Sequence, residues 1–457
     1  MGKKDDSLSK SGKSKSDACV EKGMWTTPPA VVTNLVFTPQ TSGAMTFHMV
    51  GCSGDPKRTG PGLAVGGGMA SQIANPVSPA VTPSFFYHLG DIAYPTSGTT
   101  MSGDLWNTQF YNQYKAYKNA SGPLPIFAIP GNHDGNVGSN PNPPDQDTDG
   151  EIYHYMQNMC GTAGVVSPDN QSGSGLTEST VPYVYWRLDT PLAWIIGLYT
   201  NVANGGILDD PSQYKDPTQG PQYGWLVDQL TWCKQQNAGG TPRAILLALH
   251  YPPYNGTIDF LQRGDPTLGK SPGASNAQPI GNVLQSAFTE AGQLPDAIFC
   301  AHAHLYQRIT IAYPGASDSI SQQIPCFIVG CGGHTQLEQM ASECSTGTSK
   351  NFPAAPFDLF KQGTPPKTLS VPQNSYGKGT VTIEAYFDGS NQANQPYGFL
   401  TVTLTAGSGS THPTLVCQFY TTPCDSNGNP VNPNTVTLTD SCTLDLTTHL
   451  LTQQGVS

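Results

Sequence analysis

Short apolar segments recur along this chain, and several of them end in a residue that can bind a metal ion. The run at residues 85–90 (FFYHLG) has the length of a buried strand and delivers Asp91 where it stops. Tyr94 follows three residues later, just before Pro95 turns the chain. Because ligands of open α/β sheets collect at the carboxyl ends of strands, this run predicts a functional site at a sheet edge.

Three further strand-like segments, at residues 125–130, 243–249 and 296–300, end in the same way. The polar residues that follow them are Asn132, His133, His250, His302 and His304. Helical patterns separate these segments, and more strands close the chain. This order predicts two packed sheets flanked by helices.

The composition limits what such a fold can bind. Charged residues make up only 12% of the 457-residue chain, and the formal net charge is −11. That balance argues against a nucleic-acid backbone as the main partner. Phosphate chemistry would need local positive charge, which metal ions supply most simply. No apolar run reaches the length of about 18 residues that a membrane span requires, so we expect none.

The chain is expected to contain a tail and one large domain. Residues 1–25 are predicted to be a disordered basic tail. Residues 26–450 are predicted to be the domain, with an inserted, loop-rich segment at about 135–180. The tail lacks the apolar core of a signal peptide, while the low charge favours an exported protein, so the compartment stays open.

A partial calcium-loop pattern lies within the inserted segment. Asp145, Asp147 and Asp149 match the first half of such a loop. The acidic residue expected at the twelfth loop position is replaced by Met156. A calcium site and a solvated acidic turn are both compatible with this pattern, and the turn is favoured.

The residues at the strand ends suit a centre of two metal ions. Oxygen and imidazole ligands favour iron, zinc or manganese. Two such ions about 3.5–4 Å apart can clamp a phosphoryl group. Asp91 has two carboxylate oxygens and can bridge them. His133 directly follows a candidate ligand and can donate a proton to a leaving group.

These motifs resemble those of the calcineurin-like metallophosphoesterases, and most closely those of the purple acid phosphatases. The matching residues are Gly90-Asp91 with Tyr94, Gly131-Asn132-His133-Asp134, His250-Tyr251-Pro252 and Ala301-His302-Ala303-His304. The resemblance implies an α/β fold, a four-layer α/β/β/α sandwich with two mixed sheets and the metal site at strand ends. It further implies that Asp91 bridges two metal ions. Tyr94 and His304 would hold a ferric ion, and the other ion, a divalent one, would be held by Asn132, His250 and His302.

Two departures from the family's pattern concern the ligands. The family's first strand ends in Gly-Asp-x-Gly, whereas this chain has Cys52 in place of that aspartate, with Asp55 three residues on. Cys52 could be a thiolate ligand, a bystander displaced by Asp55, or an apolar filler. Relatives also often carry a second histidine soon after the one that matches His250. His334 or Asp259 would have to fill that role.

The predicted function is hydrolysis of small phosphate monoesters by a metal-bound hydroxide that attacks phosphorus. Asn132 and His133 would bind the phosphate, and His133 would help the alcohol to leave. One alternative is a phosphodiesterase that uses the same site. Another is a binding protein that keeps the fold but has an incomplete first metal site, and Cys52 favours that alternative.

Overall fold

Strands make up most of the regular structure in a computed structural model of the chain. The residues it describes are 34–39, 43–95, 103–135, 151–160, 177–178, 181–200, 208, 220–257, 280–314, 320–340, 357–358, 380–387, 397–425, 428–432 and 435–454. The strands are β1 (Asn34–Val36), β2 (Ala44–Val50), β3 (Pro83–His88), β4 (Lys118–Asn119), β5 (Gly122–Pro123), β6 (Pro125–Ala128), β7 (Thr177–Glu178), β8 (Trp186–Asp189), β9 (Ala193–Gly197), β10 (Ala244–Ala248), β11 (Ala297–Cys300), β12 (Tyr306–Pro314), β13 (Ile320–Val329), β14 (Phe357–Asp358), β15 (Thr380–Phe387), β16 (Gly398–Thr405), β17 (Thr414–Thr421), β18 (Thr437–Asp445) and β19 (Leu450–Gln454).

Helices lie between the strands of the first two thirds of the chain. They are α1 (Gly60–Ala74), α2 (Gly103–Trp106), α3 (Asn112–Tyr114), α4 (Glu151–Met159), α5 (Pro221–Gly239) and α6 (Ile280–Ala291). A π-helical turn at Asn107–Tyr111 joins α2 to α3. Among the helices of the described ranges, none combines the length and the apolar character that a membrane crossing would require.

Two large mixed sheets carry the fold. Within the described ranges, one has nine strands in the order β1-β8-β9-β10-β11-β13-β12-β15-β14, and the other has eight in the order β19-β18-β17-β16-β2-β3-β6-β7. The strands β9, β10, β11 and β13 run parallel in the first sheet, as do β2, β3 and β6 in the second. The predicted α/β architecture with two mixed sheets is confirmed.

Aromatic side chains fill the space between the two sheets. Tyr87 of β3 stacks on Trp186 of β8, with ring centroids 5.7 Å apart. Tyr306 of β12 stacks on Phe419 of β17 at 3.8 Å. Each of these rings is buried, so removing them from water contributes to holding the sheets face to face.

The carboxyl ends of the parallel strands from both sheets meet at one edge. The backbone N–H of Gly51, after β2, donates to the carbonyl of Val329 at the end of β13 (2.9 Å). Close by, the N–H of His334 donates to the carbonyl of Cys52 (3.0 Å). Loops that follow strands of different sheets are therefore joined directly, and residues far apart in sequence share this edge.

The sequence pattern misses one strand of the nine-stranded sheet. It does not predict β12, because Gln307, Arg308 and Thr310 interrupt its apolar residues, yet the structure buries all three. Within the segment at about 135–180, predicted to be loop-rich, the described residues include α4, whose Ile152 and Tyr155 lie one turn apart and are buried. The predicted tail at 1–25 lies outside the described residues, as do the acidic residues Asp145, Asp147, Asp149 and Asp259.

A buried ion pair links the two sheets near the same edge. Asp440 of β18 accepts hydrogen bonds from Arg308 Nε (2.7 Å) and Nη2 (3.1 Å), and a third from the hydroxyl of Tyr306 (2.7 Å). All three side chains are almost completely buried. Because a buried charge without its partner is very unfavourable, the members of this cluster depend on one another.

We expect Asp440→Ala to lower the free energy of unfolding by about 3–5 kcal/mol, since it removes the carboxylate that accepts two hydrogen bonds from the buried Arg308 guanidinium. Denaturant titration at constant pH measures this loss. The exposed Thr437 on the same strand provides the control, and Thr437→Ala should change the free energy by less than about 0.5 kcal/mol. Equal effects of the two substitutions would contradict the assignment.

Candidate metal centre

The structure brings the predicted site residues together at the edge where the two sheets meet. In the eight-stranded sheet, Cys52 follows β2, Asp91 follows β3 and Asn132 follows β6. In the nine-stranded sheet, His250 follows β10 and His302 follows β11. The site is thus built from loops of both sheets.

Three of these residues have a left-handed backbone. The angle φ is 53° at Cys52, 58° at Asp91 and 63° at His302. Residues other than glycine seldom adopt this conformation, because it costs of order 1–3 kcal/mol per residue. Residues with such a backbone cluster at functional sites. The loop also needs glycine at Gly131, where a Cβ would lie 2.2 Å from Asp91 Oδ1.

Asp91 lies at the centre of the cluster and is fully buried. Its Oδ1 accepts the backbone N–H of His133 (2.8 Å), and its Oδ2 accepts the hydroxyl of Tyr94 (2.9 Å). The ring Nε2 of His250 lies 3.3 Å from Oδ2. Burial acts to raise the pKa of Asp91, but the charges of His250 and His133 outweigh it and hold that pKa well below its usual range.

His250 presents a ring nitrogen to two acceptor oxygens. Its Nδ1 donates to the carbonyl of Leu89 (2.8 Å), so the neutral ring has its lone pair on Nε2. That Nε2 faces Asn132 Oδ1 at 3.0 Å as well as Asp91. His302 Nδ1 also lies 3.0 Å from the same amide oxygen. Imidazole nitrogens and an amide oxygen that converge in this way can serve together as ligands of a metal ion.

Tyr94 and Cys52 approach the same carboxylate oxygen of Asp91 as His250 does, and His304 lies beside Tyr94. His304 Nδ1 donates to the carbonyl of Gln336 (2.8 Å), and its Nε2 lies 3.2 Å from the hydroxyl of Tyr94. The sulfur of Cys52 lies 4.0 Å from Asp91 Oδ2. Burial, reinforced by the Asp91 charge, raises the pKa of both Tyr94 and Cys52. Their anionic forms would therefore need a neighbouring cation.

The possible ligand atoms form two groups that share one residue. Asp91, His250 and His302 each offer an atom within 4.8 Å of the other two, and so do Cys52, Asp91 and His304. Asp91 belongs to both groups. These two groups are the candidate positions for metal ions.

Two further histidines surround the ring of Tyr94. The ring of His133 lies 4.3 Å from that of Tyr94, and the ring of His334 lies 4.4 Å from it. His334 also lies 4.2 Å from the ring of His304. His334 follows β13 and lies on the Cys52 side of the cluster, rather than beside His250, where the sequence predicted a role for it.

Asp55 does not join either ligand group. Its Oδ1 accepts the backbone N–H groups of Lys57 (2.7 Å) and Arg58 (2.8 Å), and its Oδ2 accepts the backbone N–H of Thr335 (2.8 Å). The loop therefore does not bend Asp55 back toward Asp91. Of the two residues proposed to replace the missing aspartate, the structure places only Cys52 beside the cluster.

Asp134 has a role that the sequence motif does not reveal. Its buried carboxylate accepts the backbone N–H groups of Asp91 (3.1 Å), Ile92 (2.9 Å) and Gly131 (2.6 Å). Burial and then the charge of Asp91 raise the pKa of Asp134 to about 7. Asp134 lies three residues after Gly131, and at this spacing an aspartate side chain can accept backbone N–H groups of its own turn.

Comparison with known proteins places the chain in a family. The model of the calcineurin-like phosphoesterases matches residues 70–306. Among solved structures, that of PhoD is 13% identical to this chain, with a TM-score of 0.46, and the alignment covers 94% of this chain and 73% of PhoD. No curated protein sequence matched.

The family match spans more than half of the 457 residues and includes Asp91, Asn132, His250 and His302. The chain therefore belongs to the calcineurin-like phosphoesterase family, whose members are metal-dependent hydrolases of phosphate esters.

Proposed function

We propose that this protein hydrolyses phosphate monoesters at a centre of two metal ions bridged by Asp91. The observation that supports the proposal is the sharing of Asp91 by two buried ligand groups. Asn132, His250 and His302 would hold one ion. Tyr94 and His304 would hold the other, with Cys52 beside it. Bound ions would supply Lewis acidity toward the phosphoryl oxygens and lower the pKa of a water molecule.

The chain's own residues would orient the ester. Asn132 follows β6 at the edge of the cluster, and its amide oxygen is within hydrogen-bond distance of two histidines. His133 is held by its backbone N–H on Asp91, while its partly exposed ring packs against Tyr94. That ring would give a proton to the departing alkoxide oxygen, a contribution of about 10²–10⁴-fold.

The metals remain part of the proposal. The phenol of Tyr94 beside Asp91 supports a centre like that of the purple acid phosphatases, in which tyrosine favours Fe³⁺. Cys52 weakens that preference, because a thiol in place of a carboxylate removes a hard anionic ligand. We therefore propose Zn²⁺ or Mn²⁺ rather than a full Fe³⁺ site at the Cys52 position.

A second function is favoured by one observation. Cys52 stands near the cluster where relatives have aspartate, and Asp55 is committed to other hydrogen bonds. A protein with one weak metal position would bind a phosphate ester without turning it over. A phosphodiesterase using the same cluster is the third possibility. Metal analysis together with assays of a monoester and a diester on one sample separates the three.

Removing the shared carboxylate should disrupt both metal positions. We expect Asp91→Ala to retain less than about half of the metal of the wild-type protein and to release phosphate at a background rate. Metal content by mass spectrometry and phosphate release from nitrophenyl phosphate measure the two effects. Asp228 of α5 is exposed, so the control Asp228→Ala should match the wild type in metal content and phosphate release. Unchanged metal in Asp91→Ala would refute the bridge.

His133→Ala should keep its metal yet lose about 10²–10⁴-fold in turnover, because no side-chain proton reaches the leaving oxygen. The loss should be smaller for nitrophenyl phosphate, whose leaving group needs little protonation, than for an alkyl phosphate. His412→Ala serves as the control, since His412 is exposed and pairs with Asp445 far from the edge. Equal losses on both substrates would instead indicate a role in binding alone.

Cys52→Asp should raise the iron-to-zinc ratio of protein purified from cells supplied with both metals, because it restores a hard anionic ligand. Cys52→Ser is the matched control, since it exchanges sulfur for a neutral oxygen and should leave the ratio unchanged. The unmodified protein should be colourless or pale. A strong visible tyrosinate-to-iron band in it would contradict this prediction.

A further inference from the structure

The backbone of Tyr94 is held by one distant side chain. The N–H of Tyr94 donates to Gln109 Oε1 (2.8 Å), and Gln109 Nε2 donates to the carbonyl of Tyr94 (2.9 Å). The two residues are 15 positions apart in sequence, and both are buried. A primary amide that pairs with both backbone groups of one residue fixes that residue's position and its rotation.

Gln109 occupies an unusual place in its helix. It lies within the π-helical turn Asn107–Tyr111, between the α-helical turns α2 and α3. Such turns inside α-helices frequently occur at functional sites. Gly54 gives the amide its space, because a Cβ there would lie 2.6 Å from Gln109 Oε1 and 2.9 Å from the ring of Tyr94.

A neighbouring glutamine shows that burial alone does not produce this pairing. Gln113 lies four positions along the same helical segment and is also buried, at 3% exposure against 1% for Gln109. Neither its Oε1 nor its Nε2 has a hydrogen-bond partner among the described residues. Two buried glutamines of one helical segment therefore differ in their hydrogen bonds, and only Gln109 pairs with the backbone of Tyr94.

We propose that Gln109 is a positioning residue that fixes the phenol oxygen of Tyr94 between Asp91 and His304. The inference rests on the proposed metal centre, to which Tyr94 contributes. The phenol oxygen is 2.9 Å from Asp91 Oδ2 and 3.2 Å from His304 Nε2. A backbone shift at Tyr94 is carried through the rigid ring to both distances, and errors near 1 Å can cost about 10²-fold at a catalytic centre.

A double-mutant cycle tests whether Gln109 acts through Tyr94. The proteins are wild type, Gln109→Met, Tyr94→Phe and the double variant, with Gln113→Met alone and combined with Tyr94→Phe as the matched control. Methionine keeps the length of glutamine and its helix propensity but removes both hydrogen bonds. Each protein is loaded with Zn²⁺ and measured for metal retained after gel filtration, for turnover of nitrophenyl phosphate and for thermal midpoint.

We expect Gln109→Met to lower turnover about 10–10²-fold and to reduce the retained Zn²⁺. In the Tyr94→Phe background the same change should have no further effect, because the group that it positions is gone. Gln113→Met should leave turnover and Zn²⁺ at wild-type values in both backgrounds. If Gln109→Met does not fold, Gln109→Glu, which keeps an acceptor for the Tyr94 N–H, replaces it in the cycle.

Losses that multiply in the double variant would overturn the inference, as would a Tyr94→Phe variant equal to wild type in both measurements. Equal losses from Gln109→Met and Gln113→Met would also overturn it, since they would indicate a general packing effect. A failure of the proposed activity can be distinguished from a failure of the positioning role. If wild type releases no phosphate but the cycle holds for retained Zn²⁺, the activity is refuted and the positioning role stands.

Discussion

Asp134 accepts three backbone N–H groups from two neighbouring loops, and the geometry of the candidate centre depends on those hydrogen bonds. The loops follow β3 and β6, so these N–H groups are not paired with a neighbouring strand. A buried N–H without a partner costs about 1–3 kcal/mol. The carboxylate satisfies three of them at once and holds Asp91 in its left-handed conformation. The cost is a second buried acid beside Asp91, whose pKa is raised to about 7 although the charge of His250 acts to lower it.

The second support comes from the opposite sheet. Tyr306 and Arg308 follow His304 along the chain, and both end on Asp440 of β18. The strand that leaves the candidate centre is therefore fixed in position by a buried charge from the other sheet. Together with the hydrogen bond from Gly51 to Val329, this arrangement explains how loops from two sheets keep distances near 3 Å without a direct covalent link.

Much of the site could be predicted because each candidate ligand directly follows an apolar strand. Asp91, Asn132, His250 and His302 are found together because the ends of parallel strands share an edge. The strands of the fold were predictable where both faces are apolar. The strand β12 was not, because its buried Arg308 and Gln307 have partners that only tertiary structure supplies.

Other parts of the site could not be derived from local pattern. Nothing near Gln109 indicates which of two buried glutamines meets Tyr94, since the π-helical turn that contains Gln109 has no sequence signature. The commitment of Asp55 to Thr335 likewise depends on a loop 280 residues away in sequence. From the sequence, both Cys52 and Asp55 are candidates to replace the missing aspartate. Only the packed loops show that Cys52 lies beside the cluster and that Asp55 does not.

The junction between Gly51 and Val329 has a consequence for the order of events during synthesis. Asp91 and Asn132 leave the ribosome long before His302, His304 and the strand β13 exist. Contacts between residues so distant in sequence form late, because the entropy of closing the intervening chain must be met first. Each of the two candidate ligand groups combines residues from both sheets, so neither group is complete until the two sheets have closed on one another.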